Sequence, residues 1–431
     1  MESMGESTML AQDNAFAFPD EDDGTLLALE YWRDPDHFAS FADMLAQAAV
    51  TAGYDGDPQD RSAVCRYIIG RGAEKGISFE EWKKTLQNWV NGKEVGRDEK
   101  ARDRVYQLCF ALDMSSDQVR DFFRRGYWER VVNYRAENEC VYWYCLKKGL
   151  PYARAVEILE QVRQAREAAR ETEEYPLEST MAIGQAVLSC PDEAALVRCL
   201  VERTEAFAQK STTAVAQVER LLKKGKELFG ELYHKGKLTG YYSEDQVPEM
   251  VEDEEERRKR RKGEPVEEES VSTERFLNCI YGVPARTYGI KEEDDSGEGD
   301  GKKKRGYLPK DPLAGAGGSF PLGYARKCIP SDAQLDKILA GQSDHDSARK
   351  ALVFLHFATF VLEKMAAGVE DGDVYDEFLD EVNQSLLKSG FPELYLRNPY
   401  DWLFAYCMTR QDPLDALHEM LSPLNREEEP G

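Results

Sequence analysis

The sequence predicts an all-α, multi-helical protein, and three observations carry that reading. Apolar residues recur at helical spacing through most of the chain. Alternating patterns bounded by turn signals, the mark of strands, are scarce. The apolar stripes are bracketed by start and stop signals, such as Ser78 before one stripe and Asn91-Gly92 after it.

In chain order, residues 1–35 read as a disordered N-terminus, since "MESMGESTMLAQDNAFAFPDEDDG" has neither a periodic stripe nor a basic start. Residues 36–165 read as a dense module of short amphipathic helices. Residues 176–243 form a middle helical region containing "EAALVRCLVERTEAFAQKSTTAVAQVERLLKKGKELFGELY". Residues 244–318 hold "EDEEERRKRRKGEPVEEE" and "KEEDDSGEGDGKKKRG", charge blocks suited to a solvated linker. A short helix, "STERFLNCIYG", interrupts that linker. Residues 325–425 read as a second compact helical module.

Within the first module, Ser78 is placed to cap a helix running to Asn91, with Glu81 at the reciprocal capping-box position. Trp82, Leu86 and Trp89 follow at i, i+4 and i+7 as one buried stripe. Asn91-Gly92 stops the helix, because glycine takes the left-handed cap conformation cheaply. Val105, Leu108, Cys109 and Leu112 form the next stripe, Met114-Ser115 closes it, and "SSDQVRDFF" opens a further helix.

The two ends of the chain share an outline. Set without gaps over "YLRNPYDWLFAYCMTRQDPLDAL", the stretch "NYRAENECVYWYCLKKGLPYARA" places Arg135 on Arg397, Tyr144 on Tyr406, Cys145 on Cys407 and Pro151 on Pro413. Upstream, "LQNWVNGKEVGRDEKARDRVYQLCF" and "LDKILAGQSDHDSARKALVFLHF" both read as apolar helix, Gly stop, polar loop and a helix starting near an Arg. A degenerate helical module, duplicated at the two ends around a middle helical region, is expected.

The elements "NWVNGKE" and "LCFALDMS", with "SAVCRYIIGRGAEKGIS" and "DHFASFADMLAQAAVTAG" before them, resemble the lambda-repressor/Cro-type helix-turn-helix. The likeness covers about residues 38–126. The wider pattern with "NPYDWLFAYC" and "DPLDAL" looks like multi-helical proteins of Gram-positive anaerobes, often near mobile elements. This resemblance implies a DNA-binding regulatory protein with double-stranded DNA as partner. The helix from Ser78 to Asn91 would lie in the major groove. Lys83, Lys84, Gln87 and Asn88 would then meet DNA, with Lys93 and Arg97 on the backbone. Amide side chains can read adenine edges, and Lys can contact guanine or phosphate. That helix reads about one turn longer than the family's, and Glu80 and Glu81 stand in its first turn. The equivalent helix of the second copy, "SDAQLDKILAG", exposes Asp332, Gln334, Asp336 and Lys337 and is a weaker reader. The runner-up function is a non-catalytic scaffold or sensor, retaining this architecture for a protein partner or self-association.

Charge bounds the nucleic-acid reading. The formal net charge is −25, so a polyanion is repelled by the chain as a whole. Between Asp57 and Arg130, however, fifteen Lys and Arg face thirteen Asp and Glu, a local excess of +2. Any contact with DNA must therefore be local.

Other classes find little support. The nine cysteines sit singly, with no Cys-x-x-Cys, which fits buried thiols in a cytoplasmic, reducing compartment rather than a disulfide framework. The longest apolar run, Ala351 to Leu362, is too short to span a bilayer, so no membrane role is expected. The histidines His37, His234, His345, His356 and His418 are scattered without metal spacing. His356 reads as a satisfied core residue, and "DHD" at Asp344 to Asp346 as an ordinary turn. The aromatic run Tyr127, Trp128, Tyr134, Tyr142, Trp143 and Tyr144 reads as core or a docking face. No dinucleotide or phosphate loop occurs. The chain reads as a non-enzyme with no cofactor and no metal.

Overall fold

A computed structural model describes residues 23–168, 180–204, 207, 212–235, 237–238, 271–273, 276–277, 280, 320–342, 345–368 and 374–421. Among these residues there are seventeen α-helices and no strand. The all-α expectation is met. The charged runs of the 244–318 segment and residues 1–22 lie outside the described residues.

The chain divides into two compact units. The first comprises Asp34–Ser211 with Asp344–Asp346. The second comprises Met1–Arg33, Thr212–Ser343 and Ser347–Gly431. The middle helical stretch of the sequence is therefore shared: its first two helices belong to the first unit and its long helix to the second.

The second unit begins with α1 (Asp23–Arg33), within the span expected to be disordered. The short sequence window hides a stripe: Ala28, Leu29 and Trp32 are buried. The Trp32 indole donates to the Pro399 carbonyl at 3.2 Å and stacks on Trp402 at 6.1 Å. A tertiary partner 367 residues away orders this helix.

In the first unit, Ser40 caps α2 (Phe41–Thr51) and Asp60 caps α3 (Arg61–Glu74), each accepting from a backbone N–H three residues on. A 3₁₀ turn (Glu80–Trp82) leads into α4 (Lys83–Val90), followed by α5 (Glu99–Ala111), capped by Asp98. α6 (Ser116–Phe122) carries a full capping box between Ser115 and Gln118, and runs into a π-turn (Phe123–Tyr127). α7 (Glu137–Lys148), α8 (Tyr152–Ala168), α9 (Thr180–Leu188) and α10 (Glu193–Glu202) complete the unit. α4 packs on both α2 and α3, α5 packs on α3 and α7, and α9 and α10 pack on α7 and α8 respectively.

The second unit continues with α11 (Thr212–His234), α12 (Leu322–Cys328), α13 (Asp332–Leu339), α14 (His345–Ala367), α15 (Val374–Lys388), α16 (Pro399–Cys407) and α17 (Pro413–Leu421). The "STERFLNCIYG" stretch is described only in part. Its residues Phe276, Leu277 and Ile280 are helical and buried, with the Phe276 ring against Gly225 of α11.

The aligned stretches of the two units share local geometry. α4 and α13 both end in a left-handed glycine, Gly92 (φ 84°) and Gly341 (φ 65°). Both close with the same pair of bonds: Gly92 and Lys93 donate to Trp89 and Asn88, while Gly341 and Gln342 donate to Ile338 and Lys337. Each following helix carries an Ala-Arg pair near its start, Ala101-Arg102 and Ala348-Arg349. Arg102 forks onto Glu139 of α7 through Nε and Nη2 at 2.6 and 2.7 Å. Arg349 forks onto Asp401 of α16 through Nη1 and Nη2 at 2.9 and 2.8 Å. Glu139 and Asp401 stand at the same place in the ungapped alignment. Each also accepts a backbone N–H from six residues upstream, Asn133 at 2.7 Å and Tyr395 at 2.9 Å. Arg102 donates onward to the Arg130 carbonyl, and Arg349 to those of Pro392 and Glu393.

The match extends to a strained residue. Trp128, at φ 61°, occupies the position where the second stretch has Gly390, at φ 76°. A bulky side chain rarely adopts this conformation. Trp128 holds it while buried, its ring 6.4 Å from that of Phe38.

Candidate nucleic-acid interface

The stripe Trp82, Leu86 and Trp89 is buried, and Val90 joins it. Phe79 and Trp82 pack edge to face at 5.0 Å, and Trp89 meets Phe41 of α2 at 5.8 Å. These contacts fix which side of α4 faces outward. On that side Lys83, Lys84 and Gln87 are exposed and Asn88 is partly so. Four of the six expected contact residues thus share one short helix.

The helix is shorter than its sequence implies. Among the described residues Ser78 makes no capping box; its hydroxyl accepts from Glu80 N, at 3.4 Å. Residues 80–82 wind as a 3₁₀ turn, and regular α-helix begins at Lys83. Phe79 explains the interruption. Its ring occupies the space beside Gly72 of α3, where an added Cβ would meet Phe79 Cε2 at 2.3 Å. Seating that ring and Trp82 together takes the chain away from continuous helical geometry.

Lys93 lies just beyond the Gly92 stop and is exposed. Arg97 is placed differently. Its Nε lies 2.9 Å from Glu129, whose side chain is 1% exposed, and its Nη2 donates to Glu94 at 3.1 Å. Lys83 approaches Glu80 at 3.8 Å, an exposed pair that contributes little.

Two cations that sequence reasoning misses lie beside this helix. Arg66 of α3 is exposed, and both it and Lys83 pull the Cys65 thiol downward against the burial that raises it. Arg104 of α5 lies over the Trp82 ring at 5.4 Å. Arg66 and Arg104 reach α4 only through tertiary packing, so spacing along the chain carries no signal of them.

The equivalent helix α13 exposes Gln334, Asp336 and Lys337, with Asp332 partly exposed and Gln334 used in its capping box. The aromatic run is core: Tyr127, Trp128, Tyr142, Trp143 and Tyr144 are all buried, and Tyr134 is partly so. Asp346 of the "DHD" stretch is held by two guanidinium groups, Arg102 and Arg130, each at 3.3 Å. His356 is buried, but its ring is not satisfied as expected. Nδ1 lies 3.5 Å from Glu381 Oε1, and neither ring nitrogen makes a hydrogen bond among the described residues. The described residues contain no cluster suited to a metal ion. Among them, no helix is long and apolar enough to cross a membrane.

Comparison of the chain with protein-family models, curated proteins and solved structures found no match.

Proposed function

We propose that this chain is a DNA-binding regulatory protein that presents α4 to the major groove of double-stranded DNA. One observation supports the reading above the others: α4 buries its aromatic stripe against α2 and α3 and leaves Lys83, Lys84, Gln87 and Asn88 on its outer side. Two amides and two ammonium groups on one short helix have the chemistry of base-edge and phosphate contact. Arg66 is a further exposed cation on α3, the helix that packs against α4. In this reading Lys93 contacts the backbone, no cofactor is used and no reaction is catalysed.

A second reading is favoured by a specific contact. Arg97, expected on a phosphate, is engaged by the buried Glu129. Glu80 and Glu81 are also exposed beside the helix, which suits a protein partner better than a polyanion. In that reading the chain is a non-catalytic scaffold or sensor.

Selection of full-length protein on random-sequence duplexes across a salt series separates the two, with Lys83→Glu/Lys84→Glu as control. The DNA reading expects sequence enrichment, steep salt dependence, and a salt slope lowered by about 2 in the double variant. Absence of binding at low salt, or indifference to the double variant, would leave the scaffold reading.

A further inference from the structure

Most arginines of the first unit are committed to carboxylates. Arg61 meets Asp43, Arg71 meets Asp113, Arg120 meets Asp117 and Arg125 meets Asp121. Arg104 of α5 is held in another way. It is partly exposed, and its guanidinium lies over the Trp82 ring, 5.4 Å from the centroid. Among the described residues it forms no ion pair and no hydrogen bond.

The platform under Arg104 is fixed. Trp82 is 6% exposed, set edge to face on Phe79 and 5.6 Å from Trp89. An aromatic face attracts a guanidinium through the ring's π-system and leaves most of its five N–H donors for other partners. A carboxylate partner would instead occupy those donors and cancel the charge. Contact with the ring also orders the side chain in advance, so less rotamer entropy is lost when a ligand arrives.

Its place points to the ligand. Trp82 immediately precedes Lys83 and Lys84, the exposed ammonium groups that open α4. The turn before them carries the exposed Glu80 and Glu81, which repel a polyanion at this end of the helix. A guanidinium held over Trp82 opposes that repulsion, and its fork matches the two free oxygens of a phosphodiester.

We propose that Arg104 is a phosphate-binding residue that grips the duplex backbone at the start of α4 while the outer face of α4 meets the base edges. This rests on the DNA-binding reading. A contact of this kind sets where the helix enters the groove without choosing the base.

The test uses the full-length chain and the duplexes it selects from a random pool. Arg104→Gln is expected to lower the slope of log affinity against log salt by about 1 and to weaken all selected sequences alike. Arg104→Lys keeps the charge but not the fork, so the slope is expected to stay near wild type while affinity falls. A side chain that only covers Trp82 would change thermal stability in both variants and leave the slope alone. A second measurement needs no variant. Phenylglyoxal modifies accessible arginines of the wild-type chain, and peptide mapping should show Arg104 protected by saturating duplex. A wild-type slope in Arg104→Gln, with Lys84→Gln lowering it, overturns the phosphate contact and leaves the DNA reading intact. Equal modification of Arg104 with and without bound duplex does the same. No binding by the wild type at low salt removes both.

Discussion

Arg102 and Glu139 meet in a buried two-pronged pair, with side chains 6% and 2% exposed. The carboxylate is further held by the Asn133 N–H, and the guanidinium by the Arg130 carbonyl and Asp346. Desolvation works against both charges, and the fork and the extra donors offset it. The second unit repeats the arrangement with Arg349 and Asp401. Because a pair of this kind is costly to break from one side, Arg102→Ala is expected to destabilise the first unit by about 3–5 kcal/mol. Hydrogen exchange is the measurement suited to a two-unit chain. Arg102→Ala should raise exchange across Glu99 to Lys148, and Arg349→Ala should do so across Ser347 to Cys407. Unchanged protection in either variant would show that the corresponding fork is dispensable.

That fork also marks how far the sequence can be read. The helical stripes, the Gly92 stop and the shared outline of the two ends are visible, because each is a local pattern. The aligned Arg102 and Arg349 stand out as helix starts, but their partners do not. Glu139 and Asp401 sit among aromatic residues in stretches that read only as apolar. Pairing an Arg with a carboxylate 37 or 52 residues away is a tertiary fact. The same limit explains Trp32, ordered by a carbonyl 367 residues distant, and Arg104, brought over the Trp82 ring by tertiary packing. Of the candidate interface, the outer face of α4 is legible from periodicity, but the burial of Arg97's partner is not.

Gly72 is expected to be intolerant of a methyl group. Although alanine favours helix by about 1 kcal/mol, an added Cβ would stand 2.3 Å from the Phe79 ring, which is 3% exposed. Overpacking of this kind costs about 1–3 kcal/mol. Gly72→Ala should therefore lower the urea midpoint of the first unit, followed by the fluorescence of Trp82 and Trp89. Phe79→Leu in the same chain should restore part of the loss by making room. A midpoint unchanged or raised in Gly72→Ala would mean that the ring moves freely.

Asp103 gives a pH dependence of defined sign. Burial raises its carboxyl from 3.8 to about 6, with Glu99 and Glu139 adding to the rise and the Asn138 amide and Arg102 opposing it. The folded chain thus holds this proton more tightly than the unfolded chain. The stability it contributes is present at low pH and is lost as pH climbs from about 4 to about 6. Asp103→Asn keeps an acceptor for Asn138 and removes the titration. Above pH 6 the variant should be more stable, on the order of 1–2 kcal/mol after allowance for partial solvent access. Denaturant midpoints between pH 4 and 8 check this; parallel curves for variant and wild type would contradict it.

Arg97 separates the two readings of the α4 surface from the stability of the unit that carries it. Its guanidinium lies against Glu129, and the side chains are 22% and 1% exposed. Replacing it with glutamine takes the cation from a nearly fully enclosed carboxylate, a change expected to cost on the order of 2 kcal/mol. A residue spent on this contact has little left for a phosphate. Arg97→Gln should therefore lower thermal stability while leaving the slope of log affinity against log salt near its wild-type value. Lys84→Gln, at an exposed position on α4, should do the reverse and lower that slope by about 1. A salt slope that falls equally in both variants, with no loss of stability in Arg97→Gln, would return Arg97 to the DNA backbone and show that its pairing with Glu129 opens on binding.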